Sequence, residues 1–326
     1  MTQGPMGQIL GEAGVDRLML RLRRITWESP GVLSLDFSDP QGRELPPFGP
    51  GAHIDLHLPD GLIRQYSLCG DPADRTTYRV GVREAENGRV SAAIHHELRP
   101  GALIPIGVPR NNFPLIASPR YLFVAGGIGI TPMLPMMREA SRAGAQWTLL
   151  FCTRRAEEAA FLDEARALGG EVALHVSEAG SRLDVARRLA QPQAETILYC
   201  CGPERLMAAV EDATLGWPEG TVRFEWFAPR SRPEGDESGG FELVCAQSGL
   251  TLSVPADKSI LEVLTAAGLD VPRSCEQGIC GTCECRILEG EADHRDSILS
   301  AAERAENQVM MACVSRAKGA RLVLDI

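Results

Sequence analysis

The chain has 326 residues, 44% hydrophobic and 23% charged, which is the balance of a globular protein with two or three domains. A formal net charge of −10 excludes nucleic acid as the main partner, because phosphates demand a basic surface. Met1 to Gly14 lacks a basic start followed by an apolar run, and the longest uncharged stretch, Tyr121 to Met137, is broken by Gly126, Gly127, Gly129, Pro132 and Pro135. The expectation is a cytoplasmic protein with no membrane partner.

In chain order, residues 1–15 are Gly-rich without periodicity and read as a flexible N-terminus. Leu18 to Ile25, Val32 to Phe37 and His53 to Leu58 read as strands punctuated by Ser-Pro-Gly, Pro-Pro and Pro-Asp-Gly breakers. Short strands with regular turns predict an antiparallel β-barrel over 16–115, with one helix near Val90 to Leu98. Within it stands Arg64-Gln65-Tyr66-Ser67-Leu68. Taken alone, these residues favour a strand with an exposed Arg and a core Tyr. Gly88-Arg89-Val90-Ser91 opens the helix and offers backbone N–H groups to a phosphate.

From about 116 the pattern changes to strands alternating with helices, which predicts an α/β parallel-sheet domain over 116–229 with ligands at the strand C-termini. Tyr121 to Ala125 is a buried strand. Gly126-Gly127-Ile128-Gly129-Ile130-Thr131-Pro132 follows, then a helix to about Ala143. Strand, glycine turn and helix present N–H groups and a helix dipole to a pyrophosphate, although the turn is not G-x-G-x-x-G. Trp147 to Cys152 leads into Thr153-Arg154-Arg155. Thr196 to Cys201 leads into Gly202-Pro203 and a helix over Glu204 to Ala213. Thr221 to Phe227 reads as a closing strand, with a core aromatic strand and a ligand-facing one equally open.

Residues 230–239 combine Pro, Gly, Ser and charge without apolar periodicity and read as a linker. Residues 240–326 then read as a small α+β domain: a hairpin from Phe241 to Val254, a helix from Ser259 to Ala267, and strands near Cys285 and Arg321. Its centre is Cys275-Glu276-Gln277-Gly278-Ile279-Cys280-Gly281-Thr282-Cys283, with Cys313 beyond. C-x4-C-x2-C plus a distant cysteine is the plant-type spacing for a [2Fe–2S] cluster. Structural zinc prefers two paired C-x2-C hooks, and this chain has one three-cysteine loop. The six other cysteines read as free thiols of a reducing compartment.

From Arg17 to the end, these elements in this order resemble the phthalate dioxygenase reductase family. Arg64-x-Tyr66-Ser67 looks like the flavin signature of the wider ferredoxin reductase superfamily, and Cys201-Gly202-Pro203 looks like its C-G-P element. The resemblance implies a flavin barrel, an NAD domain and a C-terminal ferredoxin-like (β-grasp) domain. It implies that Arg64, Gly88 and Ser91 serve the flavin phosphate, that Tyr66 stacks on the ring, and that Ser67 and Leu68 lie along it. Gly126, Gly127, Gly129, Thr131, Pro132, Thr153, Arg154, Gly202 and Pro203 would hold the nucleotide. Ser67, Thr131, Cys201 and Glu225 would flank hydride transfer, with Phe227 against the flavin, and Cys275, Cys280, Cys283 and Cys313 would bind the cluster. The implied cofactors are FMN, NADH and [2Fe–2S]. The implied function is a monomeric reductase feeding a Rieske oxygenase. The alternatives are another acceptor such as a cytochrome P450, or a redox-sensing protein without turnover.

Overall fold

A computed structural model describes residues 17–230 and 239–326. The expected flexible N-terminus and most of the expected linker lie outside the described residues. The chain divides into two compact units, the first ending at Glu225 and the second running from Trp226 to Ile326.

The first unit opens with β1 (Arg17–Ser29), β2 (Val32–Ser38), β3 (His53–His57), β4 (Ile63–Ser67), β5 (Tyr78–Arg83), α1 (Arg89–His96) and β6 (Leu103–Gly107). The six strands pair antiparallel in the order β4-β3-β6-β1-β2-β5. Edge strands expose unpaired donors and acceptors, and closure removes them. Here Leu68 bridges Val80 and the Cys69 N–H donates to the Arg79 carbonyl at 2.8 Å, so β4 meets β5. The alternation seen in the sequence sends Leu20, Leu22, Leu35, Phe37, Ile54, Leu56, Val80 and Val82 into one barrel core.

The same unit continues with β7 (Arg120–Gly126), α2 (Met133–Arg142), β8 (Gln146–Thr153), α3 (Leu162–Ala167), β9 (Glu171–Val176), α4 (Val185–Arg188), β10 (Thr196–Cys201), α5 (Glu204–Ala213) and β11 (Val222–Glu225). These strands form a parallel sheet in the order β11-β10-β7-β8-β9. The order reverses between β7 and β10, so a crevice opens past their C-termini. Barrel and sheet are locked by ion pairs. Arg79 of β5 reaches Glu28 and Glu164, each at 2.8 Å, and stacks over Phe161. Glu164 is held in turn by Arg138 of α2.

One strand is shorter than expected. The reading of Thr221 to Phe227 as a strand is corrected to Val222–Glu225, because β11 pairs with β10 only up to Cys201, where β10 itself ends. Trp226 and Phe227 go with the second unit, where Arg230 stacks on Trp226.

The second unit holds β12 (Phe241–Cys245), β13 (Leu250–Val254), α6 (Ile260–Ala266), β14 (Glu284–Glu289), β15 (Ala292–Asp293), α7 (Ala301–Glu306), β16 (Val309–Met311), β17 (Arg316–Ala317) and β18 (Arg321–Leu324). Its main sheet runs β13-β12-β18-β14-β16, with β12 and β18 parallel and the other pairs antiparallel. Both helices start on a capping box, Ser259 with Glu262 and Ser300 with Glu303, the S-x-x-E signature that satisfies two orphan N–H groups reciprocally. The molecule thus has three domains: an antiparallel barrel, a parallel-sheet domain and a mixed-sheet domain of ferredoxin type.

Candidate functional site

At the switch point the glycines are there for backbone contact. A Cβ on Gly129 would lie 2.2 Å from the Cys201 carbonyl oxygen, one on Gly126 2.5 Å from Pro203 Cδ, and one on Gly202 2.9 Å from Gly126 Cα. Only Cβ-free residues let the β7 and β10 turns touch. The β7 turn tightens into a 3-10 segment, Gly127–Ile130, before α2 begins. Thr131 is buried there, with Oγ1 donating to the Ile128 carbonyl at 2.9 Å, and Pro132 caps α2 with no side-chain hydrogen bond.

A cavity of about 670 Å³ opens beyond this edge, bordered by Gly126, Gly127, Thr153, Arg154 and Pro203. Its volume suits a nucleotide-sized ligand, and it lies where open α/β sheets bind them. The cavity wall also carries Arg83, Arg182 and Arg205, which sequence reasoning missed. Arg205 carried a signal, standing two residues after the glycine–proline turn. Arg83 and Arg182 carried none.

The barrel contributes the facing side. β10 and β11 set Cys201 opposite Glu225, and Ser67 Oγ donates to Glu225 Oε2 at 3.4 Å. Burial lifts the Glu225 carboxyl to about 8, opposed by the Ser67 hydrogen bond, so near neutrality it retains its proton. Burial and the neighbouring Glu225 push the Cys201 thiol well above its ordinary value, which makes it a neutral, unreactive group. Thr131 lies against β5 of the barrel: a Cβ on Gly81 would meet Thr131 Cγ2 at 2.7 Å. Ser67, Cys201 and Glu225 are therefore brought together from three strands, and Thr131 follows two residues after Gly129, whose Cβ position abuts the Cys201 carbonyl.

Other expected residues fare differently. Tyr66 is half-buried against the barrel core, and burial pushes its phenol up to about 12. Arg64 is exposed and donates only to the Ile63 carbonyl, at 3.1 Å. The Leu68 side chain is fully buried at the barrel closure, and its N–H donates to the Ala52 carbonyl at 2.8 Å. The Ser91 hydroxyl accepts from the Ala85 N–H and donates to the Gly88 carbonyl, both at 3.0 Å, so it ties the loop at the start of α1. Gly88 has no room for a Cβ, which would lie 2.5 Å from Ser91 Oγ; it leaves the α1 N-terminus without a side-chain cap. Phe227 is 40% exposed and belongs to the second unit.

In the second unit all four expected cysteines are buried. They approach in two pairs. A hydrogen bond joins Cys275 to Cys280, and another joins Cys283 to Cys313. In each pair one thiol is drawn down by that bond, Cys280 to about 6 and Cys283 in the same direction, while its partner is pushed up. Among the described residues no three ligating side chains converge on one point. Two pairs suit two irons, because an iron already holding two bridging sulfides has two places left for thiolates. The Ala312 N–H donates to the Cys283 carbonyl at 3.0 Å, which fixes the distant Cys313 beside the loop. Gly278 (φ +70°) is squeezed by protein: a Cβ there would meet Val314 Cγ2 at 2.6 Å and Asp296 Cα at 3.1 Å. Backbone N–H groups of Gln277 and Ile279 point at Cys275 Sγ, a cradle suited to thiolate sulfur.

Comparison with known proteins agrees with this geometry. Residues 123–212 match the oxidoreductase NAD-binding domain, and residues 243–318 match the 2Fe-2S iron-sulfur cluster binding domain. The chain is 42% identical over 325 residues to the tert-butanol monooxygenase / tert-amyl alcohol desaturase reductase subunit of Aquincola tertiaricarbonis, covering 95% of this chain and 96% of that one. It is 38% identical to a solved phthalate dioxygenase reductase, described as a modular structure for electron transfer from pyridine nucleotides to [2Fe-2S], with TM-score 0.68 over 95% of this chain and 98% of that one. An intact type IV self-sufficient cytochrome P450 monooxygenase is 40% identical with TM-score 0.89, over 95% of this chain and 41% of that longer one. The chain belongs to the phthalate dioxygenase reductase family and is an NAD(P)H-dependent flavin and [2Fe–2S] oxidoreductase.

Proposed function

We propose that this chain is the reductase component of a Rieske-type oxygenase system, a cytoplasmic monomer that carries electrons from NADH through FMN and a [2Fe–2S] cluster to the oxygenase. The observation that carries the reading is the unbroken contact from cavity to barrel. Gly126 and Pro203 border the cavity, Gly129 packs on the Cys201 carbonyl, Cys201 faces Glu225, and Glu225 holds Ser67. A nucleotide in the cavity and a ring against Tyr66 would meet at that point.

Bound flavin takes two electrons as a hydride and passes them on singly, and the cluster takes one at a time. The residues supply position. Ser67 and Thr131 hold the ring edge and the nicotinamide edge in register. Cys201 and neutral Glu225 keep the meeting point dry and free of competing charge. Exposed Arg64 and the α1 N-terminus at Gly88 are available to the flavin phosphate, and Tyr66 shields one ring face. Gly127, Thr153, Arg154 and Gly202 receive the nucleotide. Cys275 with Cys280 would hold one iron and Cys283 with Cys313 the other. For the domains, 16–115 would be the flavin part, 116–229 the nucleotide part and 240–326 the cluster part.

A second acceptor, a cytochrome P450, is favoured by the likeness to the self-sufficient monooxygenase. Mixing the NADH-reduced protein with a Rieske oxygenase component or with a P450, under stopped-flow absorbance, distinguishes them: the reading requires fast reduction of the Rieske centre. Faster reduction of the P450 supports the second acceptor. A purified chain that stays colourless after anaerobic reconstitution with iron, sulfide and FMN defeats both.

A further inference from the structure

Hydride transfer is steeply sensitive to distance: a misplacement of about 1 Å can cost on the order of a hundredfold in rate. In this chain the two partners of that step would be held by different layers, the flavin by the barrel and the nicotinamide by the parallel sheet. Their separation is therefore set by what spaces barrel from sheet. The Ser67–Glu225 hydrogen bond ties the two layers at β4. Beside it, at β5, three segments close on one point. A Cβ on Gly81 would lie 2.7 Å from Thr131 Cγ2 and 3.1 Å from both Cε2 and Cζ of Phe161. The Thr131 methyl and the tip of the Phe161 ring thus converge on the same glycine.

Phe161 is held there against its own backbone preference. It stands just before α3 with φ +62° and ψ +10°, the left-handed region that bulky residues avoid. Among the described residues four non-glycine positions take positive φ, and Phe161 is the one that buries an aromatic ring. Glycine or asparagine would adopt this conformation with less strain. Such strain persists only where the surroundings over-determine it, and it marks functional positions. The surroundings here are specific. Arg79 and Gly81 stand two apart on β5 and share a face. The Arg79 guanidinium lies 5.2 Å from the centroid of the Phe161 ring and pairs with Glu28 of β1 and Glu164 of α3, each at 2.8 Å. Glu164, three residues past Phe161, also pairs with Arg138 of α2 at 2.9 Å. The start of α3 is thus pinned to the barrel through Arg79 and to the sheet layer through Arg138. Phe161 itself is not among the residues bordering the nucleotide cavity, although its neighbours Glu158 and Ala160 are.

We propose that Phe161 is a positioning residue for hydride transfer: clamped by Arg79 and Glu164, its ring sets the spacing between β5 and the Thr131 turn, and with it the reach from nicotinamide to flavin. The inference rests on the reading of Ser67, Thr131, Cys201 and Glu225 as the place where those two groups meet. Phe161 acts through Thr131 and Gly81 and contributes no polar group to the chemistry. The ion pairs contribute by holding the ring in place, not by charging the site.

The test compares the wild-type holoprotein with Phe161→Leu, which keeps an apolar side chain and removes the ring. In stopped-flow reduction by NADH, the limiting rate of flavin bleaching should fall about tenfold to a hundredfold. The Kd for NADH and the FMN content per chain should be unaltered, the split expected when only the transition state loses support. A second readout needs no turnover: NAD+ is added to the chemically reduced protein, and the long-wavelength charge-transfer absorbance of a nicotinamide stacked on a flavin should weaken in the variant. Glu164→Gln keeps the test decisive where the leucine variant fails to hold FMN. Its side chain is about a quarter exposed, and it leaves Arg79 paired with Glu28. It should show the same split with a smaller fall, about twofold or more. An unaltered limiting rate and charge-transfer band would overturn the proposal. So would a loss confined to Kd, which would make the ring a support of the cavity, or loss of FMN from both variants, which would make it a support of the fold. A wild-type protein whose flavin NADH does not bleach would defeat the proposed function itself, and the positioning role with it.

Discussion

The proposed cluster site and the proposed hydride-transfer site are assembled in opposite ways. Three of the four thiols proposed for the cluster come from one loop, and the β14–β16 pairing, continued by the Ala312 N–H to the Cys283 carbonyl, brings in the fourth. The other site draws Ser67 from a barrel strand, Thr131 from a turn, and Cys201 and Glu225 from the ends of two sheet strands. A local site fails when a ligand is lost. A dispersed site also fails when the packing that gathers it is disturbed, even if no ligand contact changes.

Cys280→Ser tests the first half of this contrast and carries the largest effect. The EPR signal of the reduced cluster should vanish, while flavin bleaching by NADH keeps its rate to within about twofold, since the two sites share no ligand. Parallel loss of flavin reduction would show that the sites are not separable.

Gly129→Ala tests the second half. A methyl group 2.2 Å from the Cys201 carbonyl must push β7 and β10 apart. Thermal or denaturant unfolding of the first unit should register ~3–4 kcal/mol of lost stability, the range of severe overpacking. The cluster EPR signal should be unaltered. A variant as stable as the wild type would mean that the turns do not need their contact.

Glu225→Gln sharpens the comparison at smaller scale. The Glu225 carboxyl is lifted by burial from 4.5 to about 8. Between those values the folded chain keeps a proton that the unfolded chain releases, so this group costs stability as pH rises through the window. Melting curves at a series of pH values should show the variant gaining on the wild type from pH 4.5 upward and levelling off near pH 8. The gain is expected to reach roughly 2 kcal/mol, below the limit set by 1.36 kcal/mol per unit because buried sites relax and admit water. Parallel curves would mean that Glu225 is ionised in the folded protein.

The same contrast explains what was legible in the sequence. The proposed cluster cysteines could be read directly, because the spacing of three of them is written in one short run. Barrel and sheet strands could be read from alternation and from strand–turn–helix order. Ser67, Cys201 and Glu225 came only through resemblance, since nothing local links residues of three distant strands. A motif does not say which groups the fold itself uses: Leu68 closes the barrel, and the Ser91 hydroxyl ties its own loop. Phe227 was placed on a strand that stops where its partner β10 stops. Arg182 sits in an irregular loop with no pattern, and only the cavity reveals it.

The central claim is that one chain joins a two-electron site to a one-electron site. An anaerobic NADH titration of the holoprotein, followed by absorbance and EPR together, measures this directly. The account predicts uptake of about three electrons per chain, two on flavin and one on the cluster, with the cluster signal appearing without any added carrier. Uptake that stops at two electrons, with the cluster left oxidised and EPR-silent, would contradict it.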